Sequence, residues 1–320
     1  FIIVIITIMF SILSGCSKKD DDTVIIYTSA EDYRVEHLQK RLTEEFPDYD
    51  ITIEYLTTGN HAAKLIAEGG VSAECDITYD LEYSYLEQLA KTNVLADLSR
   101  YDTTVYTDDV AISKYYLPEL RNGGSIIVNL DVINKFNLAI PTSYEELLKP
   151  EYKNLISMPN PKSSGTGYMF LKSLVNVWGE EKTYAYFDEL TENVLQYTSS
   201  GSGPVNALAQ GEVAIGLGMT SQAVTKINEG ANFEVLFFEE GSPYSMYGQS
   251  IISGKEKKKA VQEVFDFLYS TYTYETCELF YPEQIFNDKI FEIENYPTNI
   301  NYADMNNNTI EEKERLLSMW

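Results

Sequence analysis

Between Thr23 and Tyr79 the chain alternates short β-rich runs with amphipathic stretches, and that alternation restricts the fold to a parallel sheet covered by helices. Thr23-Val24-Ile25-Ile26-Tyr27-Thr28-Ser29 is a buried strand ending in polar residues. From Asp32 to Phe46 the apolar residues Val35, Leu38, Leu42 and Phe46 fall on one helical face, and Pro47-Asp48 ends the run. Ile51 to Leu56 alternates as a second strand, Thr57-Thr58-Gly59-Asn60 turns, and His61 to Glu68 reads as helix. Gly69-Gly70 breaks it before a third strand, Cys75-Asp76-Ile77-Thr78-Tyr79.

The pattern then repeats with a shift. Asn122-Gly123-Gly124 reads as a break, Ser125 to Asn129 as a strand, and Pro141 to Leu148 as a helix with Ser143 as cap and Glu146 three residues on. Leu155 to Met158, Val213 to Leu217, Phe233 to Phe238 and Ser250 to Ser253 read as strands. Gly165 to Trp178, Val205 to Gln210, Lys257 to Tyr269 and Ile310 to Met319 read as helices. The expected organisation is a second α/β unit inserted into the first: residues 24–122 begin lobe 1, 123–240 form lobe 2, and 241–320 return to lobe 1 with C-terminal helices. The crossings are expected near Arg121 to Ser125 and near Glu239 to Gly248.

Phe1 to Leu13 is almost wholly apolar but too short to span a bilayer, which takes roughly 20 residues. It fits the apolar core of a signal peptide over residues 1–15. No starting Met or basic n-region precedes it, so the natural chain is expected to begin earlier. Leu13-Ser14-Gly15-Cys16 resembles the bacterial lipobox, which would place a diacylglyceryl group on Cys16. Residues 16–23 then serve as a charged tether. A formal charge of −25 argues against nucleic-acid binding, which needs a basic face. Cys75 and Cys277 read as two separate buried thiols, and His37 and His61 as surface helix residues; no zinc-type spacing occurs.

In open α/β sheets ligands bind beyond the carboxyl ends of the strands. Those ends here are small, polar and glycine-bearing: Thr28 to Glu31, Thr57 to Asn60, Ser163 to Gly167, Ser199 to Gly203 and Met219 to Gln222. Where such a loop enters a helix, unpaired backbone N–H groups and the helix dipole favour a phosphate, phosphonate or carboxylate. Ordinary helix capping accounts for any one loop taken alone; five at strand ends point to a site. No Gly-x-Ser-x-Gly, P-loop or HExxH pattern occurs, so an enzyme is not expected.

The order of these segments resembles the bacterial extracellular solute-binding proteins of ABC importers, in the branch that includes ferric-iron and 2-aminoethylphosphonate binders. The resemblance is carried by Val24 to Ser29, Thr58-Gly59, Cys75-Asp76-Ile77, Gly124 to Asn129, Met158-Pro159-Asn160-Pro161 with Ser163 to Thr166, Gly211 to Gly216, and Ser250 to Gly254. It implies an α/β, two-lobed periplasmic-binding-protein-like fold of type II with the ligand cleft between lobes. Ser29, Thr58 and Gly59 would come from the first lobe, and Ser164, Gly165, Thr166, Thr220 and Ser221 from the second. It also implies a membrane permease as partner, a monomer, no cofactor, and a place on the extracellular face of the membrane (periplasmic in a Gram-negative cell).

Ferric binders of this branch carry adjacent tyrosines where this chain has Thr220-Ser221, and Tyr115-Tyr116 does not match that place. Neutral hydroxyls suit Fe(III) poorly. The expected solute is therefore a small anion of phosphonate or phosphate-ester type, with Fe(III) as the alternative transported ligand. Tyr27, Tyr79, Tyr244 and Tyr247 are the tyrosines expected to pack in core and hinge unless they reach the cleft.

Overall fold

A computed structural model describes residues 22–320. The signal peptide expected over 1–15, Cys16 and most of the tether expected over 16–23 lie outside the described residues. Lobe 1 opens with β1 (Thr23–Thr28), α1 (Asp32–Glu45), β2 (Asp50–Tyr55), α2 (Thr58–Glu68), β3 (Ile77–Glu82) and α3 (Tyr83–Lys91). β1 pairs in parallel with β2 and with β3, as the opening alternation requires. The chain then enters β4 (Leu117–Asn129), a strand of 13 residues buried along its whole length.

Asn122-Gly123-Gly124, read in sequence as a break, lies inside β4. The first half of β4, Leu117 to Gly123, pairs antiparallel with β9 (Tyr244–Ile251). From Gly124 onward its partners are β7 (Ile215–Met219) and β8 (Phe233–Leu236). The strand passes from one lobe to the other without leaving the ladder. Glycine is needed at 123 because a Cβ there would lie 2.6 Å from Glu283 Oε1, and the Gly123 N–H donates to that carboxylate at 3.2 Å.

Lobe 2 is built from α4 (Leu130–Phe136), β5 (Ile156–Pro159), α5 (Gly165–Trp178), α6 (Glu180–Thr191), β6 (Val194–Thr198), α7 (Gly203–Ala209), β7, α8 (Thr220–Asn228) and β8. β5 pairs in parallel with β6 and β7. The helix expected over 141–148 is instead a 3₁₀ turn, Glu145–Leu148, whose Glu146 N–H donates to the predicted cap Ser143 at 3.2 Å. Pro150 follows at once, and the residue before a proline avoids helical backbone.

After β9, α9 (Lys259–Phe267) and α10 (Thr273–Leu279) join through a π-helical turn, Leu268–Tyr272, and α9 packs on lobe 1 with Val261, Val264 and Phe265 buried. The expected return of 241–320 to lobe 1 needs an addition at its end. The last helix, α11 (Ile310–Met319), buries Leu316 in the lobe 2 core beside Phe187, and the Tyr184 hydroxyl donates to the Leu316 carbonyl at 2.7 Å. Cys75 and Cys277 are buried free thiols, in line with the sequence reading.

Truncating Leu316 to Ala is expected to cost about 2–5 kcal/mol, the usual range for a buried leucine. Chemical denaturation would read it; a loss under 1 kcal/mol would mean that α11 is not part of the lobe 2 core.

Candidate functional site between the lobes

The two lobes meet over a tight cleft lined from lobe 1 by Ser29, Glu31, Tyr55, Thr58 and Asp80 and from lobe 2 by Ser164, Thr166, Ser200, Gly201, Ser202 and Met219; Asn122 of β4 and Tyr247 of β9 sit between them. The lobes touch across it. A Cβ on Gly165 would lie 3.6 Å from Thr58 Oγ1 and 2.6 Å from the Tyr247 hydroxyl, so only glycine allows this approach. Gly59 faces the Lys162 carbonyl, 3.6 Å from where its Cβ would be.

The lobe 2 wall is a set of hydroxyls and backbone donors. Ser164 caps α5, its Oγ accepting from Gly167 N–H at 3.3 Å. Against it lies the Ser200–Ser202 loop, whose two hydroxyls are 3.1 Å apart. None of the lobe 2 lining residues is ionised. The N-terminus of α5 therefore presents partial positive charge with nothing negative beside it.

The lobe 1 wall is the opposite. Two β-bulges create it, one on each side of β9. Opposite Gln249, β3 carries two residues, Tyr79 and Asp80, between the pairs Thr78–Ser250 and Leu81–Gly248. Asp80 adopts φ +56°, a left-handed conformation that costs a non-glycine residue roughly 1–2 kcal/mol. On the other flank β4 carries one extra residue, Glu119, between Pro118–Gly248 and Leu120–Tyr247. The bulges answer each other: the Asp80 N–H donates to Glu119 Oε2 at 2.9 Å. Bulges re-aim side chains, and here they turn Asp80 into the cleft.

A buried guanidinium organises this wall. Arg34 of α1 donates to Glu31 at 3.1 Å, Asp80 at 3.0 Å and Glu119 at 2.8 Å, and stacks over Tyr281. The Tyr281 hydroxyl donates to the other Glu31 oxygen at 3.0 Å. One cation faces three carboxyl groups. Burial pushes Asp80 and Glu119 above the ordinary carboxylate range, against the pull of Arg34. Asp80 Oδ1 is held by Arg34, while Oδ2 is left for the cleft.

Ser29 is positioned from behind. Its Oγ lies 2.9 Å from His61 Nδ1, and the opposite ring nitrogen is 2.9 Å from Thr78 Oγ1. His61 is fully buried, contrary to the surface place read from sequence: its helical spacing put it beside the polar turn, but α2 packs that face on β3. Burial and nearby Lys64 depress its pKa to about 3.

Of the predicted ligand residues, Ser29, Thr58, Ser164 and Thr166 line the cleft, and Gly59 and Gly165 form its contact edge. Thr220 and Ser221 do not line it. They lie buried in the first turn of α8, where neither hydroxyl has a hydrogen-bond partner among the described residues. Tyr247 is the one of the four singled-out tyrosines that lines the cleft; Tyr27 and Tyr79 are core, and Tyr244 packs edge-on against Tyr302. Glu31 and Ser200–Ser202 come from two of the strand-end loops read as candidates in the sequence, whereas Asp80 and Asn122 carry no such signal. Asp80 follows a strand and looks like an ordinary turn residue; only the bulge reveals its aim.

The unfolded chain protonates His61 near pH 6.5, while the folded protein resists until about pH 3. This contribution is complete above pH 6.5 and is lost as pH falls toward 3. In urea titrations, His61→Asn should flatten the stability decline between pH 6.5 and 4 by close to one proton. An unchanged slope would mean that His61 is not held neutral.

Comparison with known proteins agrees with this geometry. A family model described as "Bacterial extracellular solute-binding protein" matches residues 75–308. An uncharacterized protein of Haemophilus influenzae is 28% identical over 243 residues, covering 72% of this chain and 68% of its own. The spermidine/putrescine-binding periplasmic protein of Salmonella typhimurium is 24% identical over 273 residues, 80% of this chain and 75% of its own. The solved structure of the periplasmic binding protein AfuA from Actinobacillus pleuropneumoniae, with exogenous fructose-6-phosphate bound, superposes with a TM-score of 0.80 at 24% identity, over 93% of this chain and 97% of that one. A two-lobed sheet crossed by shared strands, a polar cleft at the crossing and a family match across most of the chain lead to one conclusion: this protein belongs to the bacterial extracellular solute-binding proteins that serve ABC importers.

Proposed function

We propose that the protein captures a small phosphonate or phosphate ester between its lobes and delivers it to an ABC permease, as a monomer held at the outer face of the membrane by lipid on Cys16. The observation that carries the solute class is the uncharged donor wall of lobe 2, where the capped N-terminus of α5 meets the Ser200–Ser202 loop. A phosphoryl group there accepts hydrogen bonds from backbone N–H and hydroxyl donors. The facing carboxylates, Glu31 and Asp80, would take donors from the other end of the solute, hydroxyls or an ammonium. The fructose-6-phosphate bound to AfuA supports the phosphate-ester reading. We read the site as one for binding without chemistry: the His61 ring behind Ser29 is fully buried, and its other nitrogen meets Thr78 and not a carboxylate.

A second reading is a cationic polyamine. The carboxylates of lobe 1 and the spermidine/putrescine-binding relatives favour it. Against it stands the lobe 2 wall, which would leave a second ammonium facing helix N-terminal positive charge. Fe(III) has weaker support, because the residues after β7 are Thr220 and Ser221 rather than a tyrosine pair.

Titration calorimetry with fructose 6-phosphate, 2-aminoethylphosphonate, spermidine and Fe(III)-citrate separates these readings. A phosphorylated or phosphonate solute is expected to bind. Ser164→Ala with Thr166→Ala should then weaken it by about 1–3 kcal/mol per lost charged hydrogen bond. Spermidine binding that is indifferent to the double substitution would replace this reading with the polyamine one. For the anchor, Cys16→Ala should release the protein from the membrane fraction into the soluble one; retention would sink the lipidation.

A further inference from the structure

α11 belongs to one lobe by its apolar face and reaches the other by its charges. Leu316 lies in the lobe 2 core, Arg315 pairs with Glu180 at 2.6 Å, and Glu312 lies 3.5 Å from the buried Lys172 of α5. All of these tie the helix to lobe 2. Lys313 points the other way. Its ammonium, 2% exposed, donates to Glu82 Oε2 at 2.6 Å and to Ser84 Oγ at 3.2 Å. Both partners are at the start of α3 in lobe 1 and are fully buried. The same ammonium lies over two aromatic rings, Tyr85 of lobe 1 at 4.0 Å and Tyr168 of lobe 2 at 4.7 Å. Asn308, just before the helix, donates to the other Glu82 oxygen at 3.3 Å.

The chain crosses between lobes in β4, in β9 and again between α10 and α11. α11 adds a link of its own back to lobe 1, and this one is non-covalent. Neither Lys313 nor Glu82 lines the cleft. With α11 held to lobe 2 by Leu316, Arg315 and Glu312, a lobe rotation that parts it from α3 carries Lys313 away from Glu82 and Ser84, along with Glu311 from Lys91. The pair and the ring sandwich then exist only while the lobes touch. Buried charge pairs contribute little net stability when both partners can rehydrate, but removing one partner leaves the other buried and unpaired. The cost of losing Lys313 therefore falls on the closed form.

We propose that Lys313 is a positioning residue, a clasp that holds the ligand-free protein partly closed and so sets the open-to-closed equilibrium on which capture draws. The proposal does not rest on the solute class. Small-angle scattering of the ligand-free protein tests it, with the closed fraction obtained by fitting open and closed forms. Lys313→Met should lower the closed-to-open ratio about tenfold or more. Glu82→Gln, which keeps size and removes charge, should move it the same way, and Lys313→Arg should largely restore it. Arg315→Ala on the same helix removes only a lobe 2 contact and should leave the ratio unchanged. If Lys313→Met folds poorly, Glu82→Gln against Arg315→Ala makes the same comparison. An unchanged closed fraction in Lys313→Met or Glu82→Gln overturns the clasp, as does an equal shift in Arg315→Ala, which would make the effect a general loosening of α11.

Discussion

Everything else in this protein depends on the antiparallel pairing of β4 with β9. These two strands are the continuous backbone through which both lobes are hydrogen-bonded into one sheet. β4 changes partners between Gly123 and Gly124 without a gap in its ladder, so the lobes are joined by extended strand and not by a loose linker. A ladder of this kind tolerates twist at its middle but not separation. It therefore permits lobe rotation about the crossing while keeping the two cleft walls in register.

The same pair of strands makes the chemistry. The bulges at Asp80 and Glu119 lie on opposite flanks of β9, where Gly248 lets Leu117 O come within 2.6 Å of the place a Cβ would occupy. Each bulge alone would strand a backbone group. Together they pair, Glu119 accepting from Asp80 N–H, and Arg34 neutralises part of the charge they concentrate. The left-handed backbone at Asp80 is thus supported from behind by Arg34 and Glu119, neither of which lines the cleft. The result is a cleft with one acidic wall and one wall of neutral donors, a polarity that favours a solute with two chemically different ends.

Much of the architecture was legible in order and periodicity. The alternation from Thr23 to Tyr79 corresponds to β1 through β3, and Ser164 capping α5 was readable from the small polar residues before an apolar helix. Half of the site was legible for the same reason: loops at strand ends that enter helices must satisfy unpaired N–H groups, and Ser, Thr and Gly mark them. Thr220 and Ser221 carried the same mark yet are buried in the first turn of α8. Composition cannot tell a loop that lines a cleft from one that packs beneath it.

By itself, the sequence determined the strand–helix alternation from Thr23 to Tyr79, that the chain forms α/β lobes, and which small polar loops end strands and enter helices. These follow from local periodicity and capping chemistry, which act over a few residues. Tertiary structure alone decided that Asn122-Gly123-Gly124 continues a strand, that His61 is buried behind Ser29, that α11 joins lobe 2 while Lys313 reaches lobe 1, and that Asp80 faces the cleft. Each of these depends on partners distant in the chain. Arg34 meets Glu119 across 85 positions and Lys313 meets Glu82 across 231, and no local pattern encodes a pairing that only the folded sheet brings together.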